Sequence, residues 1–159
     1  MAVVAVDVEI AIDLAHDVLT QVAPEELALF AVTSSAYRAD PGGVAPSARD
    51  EMLGFGAEAI TALTPVMLSV AGAVASYVLA QVRAVAQEES ESAIRGMVRK
   101  LFRLSAKGDD AGAPAPPVLT GDQLRLVRDI ALERARALKL PHEEAQLLAE
   151  ALVGRLAIA

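Results

Sequence analysis

The sequence predicts an all-α protein, a helical bundle around a long, apolar central helix, followed by a C-terminal helical hairpin. Apolar residues recur at helical spacing through most of the 159-residue chain. Capping residues and prolines mark several helix starts. Only residues 4–14 show strand-like alternation, and a lone strand would leave its backbone groups unpaired. We therefore expect helices at 7–22, 25–37, 48–64, 65–105, 121–139 and 142–157.

The first segment contains two periodicities. Residues 6–14 alternate apolar and mostly polar side chains, as in a strand. The same region also contains an apolar stripe at helical spacing, formed by Val8, Ile12, Ala15, Leu19 and Val22. Because no second strand is available for pairing, we predict a helix. Pro24, followed by two glutamates, then begins a second, shorter helix.

The composition excludes several classes of function. The chain is 54% hydrophobic and 3% aromatic, has no cysteine, and carries a net charge of −7. Without cysteine, thiol catalysis, disulfides and Cys-rich zinc sites are excluded. Nucleic acid is an unsuitable partner, because phosphate contacts need a broad basic face and base stacking needs aromatic rings. Acidic residues interrupt the N-terminal apolar stretch, so it is not a signal peptide, and we expect a cytoplasmic protein.

Two stretches rich in proline and glycine divide the chain. Residues 39–46 are predicted to be a loop, and residues 108–118 a linker extended by its prolines. We expect a helical bundle over residues 1–107 and a hairpin module over residues 119–159. Thr120 and Gln123, at capping-box spacing, begin the first helix of that hairpin. Pro141 begins the second.

An uncharged run of 24 residues lies between Glu58 and Arg83. As a helix, residues 59–82 would span about 36 Å, compared with about 30 Å for the hydrocarbon core of a bilayer. The polar residues in the run make spontaneous insertion of a lone helix marginal. Two interpretations stay open, a buried core helix and a membrane-inserting helix. Pro65 either kinks this helix or begins a new one capped by Thr64.

Small residues recur at short intervals within this run. Small side chains let another helix approach closely, in a membrane or in water. We therefore expect helix packing, and a homo-oligomer, through this face. The residues predicted to form it are Ser69, Gly72, Ala73 and Ser76.

A basic amphipathic helix is predicted at residues 94–104. Its apolar face holds Ile94, Met97, Val98, Leu101 and Leu104, and its basic residues are Arg95, Arg99, Lys100 and Arg103. Such a helix binds an anionic membrane surface. Alternatively, it packs on its own bundle and its arginines meet the N-terminal third, where residues 1–58 contain ten acidic and two basic residues. If the preceding run spans a membrane, the basic side is cytoplasmic by the positive-inside rule.

No pattern in the sequence indicates catalysis. Glu9, Asp13, His16 and Asp17 share roughly one helix face, but no second Glu/His helix completes a metal core. His142 precedes two glutamates in the first turn of a helix, where acidic residues complement the helix dipole. We expect no catalytic residue, cofactor or metal, and hence a non-enzymatic protein.

The order of these features resembles a known class of proteins. The acidic helical N-terminal part, the run ALTPVMLSVAGAVASYVLAQV and the basic segment RGMVRKLFRLSAK are similar to the HeLo/Bell-like class of bacterial cell-death membrane effectors. The resemblance covers about residues 1–107 and rests on architecture. It implies a bundle that oligomerises and permeabilises a membrane when triggered. The chain departs from the class where an amyloid-type signalling motif would follow, because a hairpin rich in Arg, Glu and Leu stands there.

Two functional hypotheses follow. In the first, the protein is a membrane-directed effector that oligomerises, inserts residues 59–82 and lays residues 94–104 on the inner face of an anionic membrane. In the second, it is a soluble helical adaptor that self-associates through the small-residue face. In either case the C-terminal hairpin is a candidate docking module for a protein partner.

Overall fold

The computed structural model describes residues 2–40, 63–104 and 114–157, with side chains from Val8 to Leu156. Within these ranges all regular structure is helical, which confirms the all-α prediction. The predicted helix 48–64 lies outside the described residues except at its last two positions. The elements are α1 (Ala2–Val22), a 3₁₀ helix (Pro24–Leu29), α2 (Phe30–Ala39), α3 (Thr64–Val85), α4 (Glu91–Leu101), α5 (Gly121–Ala137) and α6 (His142–Ala157).

Helix α3 is the centre of the fold. It packs against α1, α2, α4 and α5. It buries apolar residues around much of its circumference, so it needs neighbours on several sides. The buried apolar residues of α3 are Pro65, Val66, Met67, Leu68, Val70, Ala71, Val74, Ala75, Val78, Leu79 and Val82.

The first segment is a helix, as predicted, and α1 packs along α3 more extensively than any other pair of elements. Its buried residues include the predicted stripe except Val22, which is half-buried. The burial extends beyond that stripe to Ile10, Ala11, Leu14 and Val18, each with no exposed surface. The strand-like alternation therefore came from a helix that is buried on more than one face.

The prediction of one helix over residues 65–105 is wrong. Helix α3 ends at Val85, and α4 begins at Glu91 after a turn. Ser90 restarts the helix, because its Oγ accepts a hydrogen bond from the Ala93 N–H at 3.2 Å. Arg83 and Glu91 form an ion pair of 2.9 Å across the turn. The predicted apolar face of residues 94–104 packs on the bundle, with Ile94, Met97, Val98 and Leu104 in the core and Leu101 half-buried.

The C-terminal hairpin forms as predicted and packs on the rest of the bundle. The capping box is present, since the Gln123 N–H donates to Thr120 Oγ1 at 3.1 Å and the Thr120 N–H donates to Gln123 Oε1 at 2.8 Å. Helices α5 and α6 pack against each other, and α5 also packs against α3. The Gln123 amide donates to Gln81 Oε1 of α3 at 2.9 Å. The buried residues of the hairpin therefore belong to the same core as α3.

Helices α4 and α5 end in the same motif. Arg103 and Lys139 have φ angles of 61° and 65°. After each, a backbone N–H returns to the last turn, from Leu104 to the Arg99 carbonyl at 2.8 Å and from Leu140 to the Ala135 carbonyl at 3.0 Å. This is the Schellman arrangement, in which glycine is the usual left-handed residue. Both chain reversals therefore hold a side chain in a conformation that L-residues disfavour.

Candidate functional site

The N-terminus of α3 is capped by a side chain from another element. The Glu26 carboxylate, in the 3₁₀ helix, accepts hydrogen bonds through Oε1 from three groups: Leu63 N–H at 2.9 Å, Thr64 N–H at 3.1 Å and Thr64 Oγ1 at 2.9 Å. A carboxylate here satisfies free N–H groups and interacts favourably with the helix dipole. Thr64 is therefore a buried donor and not the predicted cap. Pro65 lies in the first turn of α3, where its lack of an N–H removes no intrahelical bond.

Helix α3 has the length and composition of a membrane span. Of the described helices, only α3 is both long and apolar enough, with 22 residues and a mean hydropathy of 1.6. In the described bundle, 61% of its most apolar 18-residue stretch is buried inside the protein. A core helix of a soluble protein has the same properties. The two interpretations of the apolar run therefore stay open, but in the described conformation α3 is covered.

The small-residue face contacts α2 and α1 at Gly72. A Cβ at this position would overlap the Tyr37 hydroxyl of α2, and it would lie 4.0 Å from the Ala11 Cβ of α1. Tyr37 is only 5% exposed. Helices α3 and α2 therefore approach closely at a residue without a side chain. The other three predicted packing residues are Ser69 and Ala73, which are half-buried, and Ser76, which is exposed.

The four basic residues predicted to contact lipid do not share one exposed face. Lys100 and Arg103 are exposed and Arg95 is half-buried. Arg99 is 3% exposed, and its Nη1 lies 2.8 Å from Asp13 Oδ2 of α1. In this conformation Arg99 is therefore not on the exposed surface, and its contact with lipid stays a prediction. It is buried because the acidic α1 offers this guanidinium a carboxylate, the alternative that the charge distribution had left open.

Arg99 is one of three arginines held by α1. The carboxylates of Glu9, Asp13 and Asp17, which we call the acidic face of α1, are spaced at one helical turn. Each forms an ion pair with an arginine of a different helix. The pairs are Glu9 with Arg38 of α2 at 2.8 Å, Asp13 with Arg99 of α4 at 2.8 Å, and Asp17 with Arg155 of α6 at 3.1 Å.

The three pairs differ in how deeply they are buried. The Glu9 pair is at the surface, with the two side chains 45% and 50% exposed. Its hydrogen bond and charge raise the pKa of Arg38, but such an exposed pair contributes little to stability. In the Asp13 pair, by contrast, the Arg99 side chain is 4% exposed and the carboxylate 26% exposed. Of the three, this pair costs most to break, because it would leave a buried charge without that partner.

Arg155 joins three helices at one end of the bundle. Its Nε donates to the Phe102 carbonyl at 2.9 Å, and its Nη2 donates to Asp17 Oδ2 at 3.1 Å and to the Arg103 carbonyl at 3.2 Å. A cation at the C-terminal carbonyls of α4 is favoured by the helix dipole. The sequence analysis missed Arg155, because nothing local distinguishes it from other basic residues in a last turn. A shallow cavity of about 270 Å³ beside it is lined by Gln21, Arg103, Glu150, Ala151, Gly154 and Arg155.

No family model, curated protein or solved structure matches the chain. Among the residues whose placement is described, no three His, Asp or Glu side chains come together as metal ligands. The three carboxylates of the acidic face of α1 pair with arginines. The contacts of this site hold the basic helix α4 and the apolar helix α3 against α1.

Proposed function

We propose that this protein is a non-enzymatic effector that acts at the inner face of an anionic membrane, and that the described bundle is its closed conformation. The observation that carries the proposal is the juxtaposition of α3 and α4. The only described helix with the length and composition of a membrane span is followed, after a five-residue turn, by an amphipathic basic helix. The resemblance to HeLo/Bell-like effectors also supports a function at a membrane.

Transfer of α3 from the bundle to a bilayer preserves much of what stabilises it. Its apolar side chains leave one apolar environment and enter another, so their own transfer costs little hydrophobic free energy. The apolar faces of α1, α2 and α5 that packed on α3 lose that cover. At about 1.5 Å per residue its 22 residues span about 33 Å, enough for a hydrocarbon core of about 30 Å. The contacts that transfer would break include the Glu26 cap, the packing of α1, α2 and α5 on α3, and the hydrogen bond from Gln123 to Gln81.

Insertion is proposed to occur together with self-association. Ser69, Ser76 and Gln81 are polar, so a single α3 is a marginal span. In a membrane, Gly72 and its small neighbours permit close helix contact, and the serine hydroxyls can bond across the interface. An oligomer is therefore the favourable inserted state.

Dye release from phospholipid vesicles tests the proposal. The protein should release dye from vesicles containing anionic lipid and not from purely zwitterionic vesicles. The effect should weaken between 50 and 500 mM salt, because ions screen the attraction of Lys100 and Arg103 to the surface. No release and no binding at any lipid composition would contradict a membrane function.

A charge-reversal pair isolates the contribution of the basic helix. Lys100→Glu/Arg103→Glu should abolish binding to anionic vesicles, because both residues are exposed and contact lipid in the proposal. Arg134→Glu/Arg136→Glu makes the same charge change at two exposed sites of α5 and should retain most of the binding. If both variants lost vesicle binding equally, binding would depend on the net charge of the protein and not on α4.

A soluble adaptor is the second candidate, and the burial of α3 favours it. A helix that is covered on several sides by its own chain already has the environment it needs. In this case a protein partner would bind the hairpin, where Leu126 and Leu147 are 48% and 50% exposed. Sedimentation of the expressed protein separates the candidates, because an adaptor stays in the supernatant of membrane fractions.

A further inference from the structure

We infer that α1 is the autoinhibitory element of this protein, and that its release is the step that opens the bundle. The inference rests on the proposed function and names the regulation of the same site. Helix α1 makes two kinds of contact at once. Its apolar residues cover α3, and its acidic face holds one arginine from each of α2, α4 and α6.

The placement of the pairs makes α1 the common partner of the bundle. Each of the three arginine–carboxylate pairs has its acidic member on α1, so departure of α1 breaks all three together. Departure of α2, α4 or α6 would break one of these three, although α4 also pairs with α3 through Glu91 and Arg83, and α6 with α5 through Glu150 and Arg128. Helices α5 and α6 pack on each other through their own apolar residues, so the hairpin keeps much of its contact surface when α1 leaves.

Release of α1 would produce both features that membrane insertion requires, a partly uncovered apolar helix and an available basic helix. The side of α3 that packs on α1 would lose its cover, including the region of Gly72 that faces Ala11. Arg99, now 3% exposed, would lose the Asp13 carboxylate and become available to lipid phosphate beside Lys100 and Arg103. While α1 is bound, the basic helix is partly neutralised and the apolar helix is covered. Release of α1 would therefore act on both helices at once, with α2 and α5 still packed on α3.

An engineered disulfide can hold α1 on α3. The chain has no cysteine, so introduced thiols react only with each other. A Cβ at position 72 would lie 4.0 Å from the Ala11 Cβ, within the usual disulfide range of about 3.5–4.5 Å. The Tyr37 hydroxyl obstructs that Cβ, whereas the ring carbon that carries it is 3.7 Å away. The locked protein is therefore Ala11→Cys/Tyr37→Phe/Gly72→Cys, with Tyr37→Phe alone as the matched control.

The lock predicts a redox-dependent loss of vesicle permeabilisation. Oxidised locked protein should release dye at least about tenfold more slowly than the same protein after reduction, because opening by local release is prevented. The control should behave alike under both conditions. Equal release from the oxidised and reduced forms would overturn the inference, because α1 would then remain on α3 in the active protein. If wild-type and reduced protein both release no dye, the proposed function fails, and the inference is decided by the following measurement.

Hydrogen exchange tests the release of α1 without a membrane. Asp13→Asn removes the charge that pairs with Arg99, and should speed exchange of the α1 and α3 amides at least about tenfold. Amides of α5 that face α6 should change by less than about threefold. Asp129→Asn makes the same chemical change at an exposed carboxylate of α5 and should leave α1 unchanged. Acceleration of all helices by one common factor would overturn the inference, since α1 would then open only with global unfolding.

A milder variant covers the case in which Asp13→Asn does not fold. Asp17 is 40% exposed and pairs with Arg155 at 3.1 Å, so Asp17→Asn perturbs the acidic face with less burial of the remaining charge. In Asp17→Asn we again expect amide exchange to speed up more in α1 than in the hairpin. Slower exchange in α1 than in the hairpin, in either variant, would contradict the assignment of α1 as the element that leaves first.

Discussion

Replacing Gly72 with alanine tests how closely α3 approaches α2. In an exposed helix this change stabilises by about 1 kcal/mol, because alanine has the higher helix propensity. At Gly72, however, the new methyl group would overlap the hydroxyl of Tyr37. Tyr37 is 5% exposed, so its ring has little space into which to move. Two effects of opposite sign therefore compete at one position.

The magnitudes favour destabilisation. Overpacking in a filled core costs about 1–3 kcal/mol, which exceeds the gain in propensity of about 1 kcal/mol. We expect Gly72→Ala to lower the free energy of unfolding by about 1 kcal/mol. In a domain of this size that corresponds to a fall in Tm of about 2–4 °C.

The Tyr37→Phe background should reverse the sign. Without the hydroxyl, the nearest atom of residue 37 is the ring carbon at 3.7 Å, an ordinary van der Waals contact. Gly72→Ala should then stabilise the protein by up to about 1 kcal/mol. We therefore expect a coupling of about 2 kcal/mol between the two sites, which urea unfolding of all four proteins, followed by circular dichroism, would measure. Stabilisation by Gly72→Ala in both backgrounds would refute the proposed contact.

Substitutions at three further positions test other parts of the fold by the same unfolding curves. Asp13→Asn should destabilise by about 2–3 kcal/mol, because the Arg99 side chain, 4% exposed, loses its carboxylate. Glu26→Ala should cost about 1–3 kcal/mol, since three donors at the start of α3 lose their acceptor; Glu26→Gln, which keeps an acceptor oxygen, should cost less. Lys139→Gly should stabilise by about 1 kcal/mol by relieving a φ of 65°, whereas Lys139→Ala should not.

Most of the helices could be predicted from the sequence because their signals are local. The capping box of Thr120 and Gln123 lies within one turn and forms as expected. The break between α3 and α4 was missed because the turn contains neither glycine nor proline, and its glutamates are good helix formers. Ser90 was the available signal, since serine followed by an acidic residue is favourable at a helix start.

The site could be predicted less well because its contacts join residues far apart in the chain. The charge distribution suggested that arginines of the basic helix meet the acidic N-terminal third. Which residues pair depends on tertiary packing, since Asp13 and Arg99 are 86 residues apart and Asp17 and Arg155 are 138 apart. The Glu26 cap likewise joins elements 37 residues apart. No periodicity or motif within one helix encodes these partners.

A fluorophore on α3 tests most directly whether α3 leaves the bundle and enters a bilayer, as proposed. Ser76 is exposed near the middle of α3, and the absence of cysteine makes Ser76→Cys a unique labelling site. With an environment-sensitive dye at this position, addition of anionic vesicles should shift the emission to the blue, and quenchers at the bilayer centre should quench it. A label on Glu133→Cys in α5 should remain in water. An aqueous spectrum at position 76, with the protein bound to the vesicles, would contradict insertion of α3.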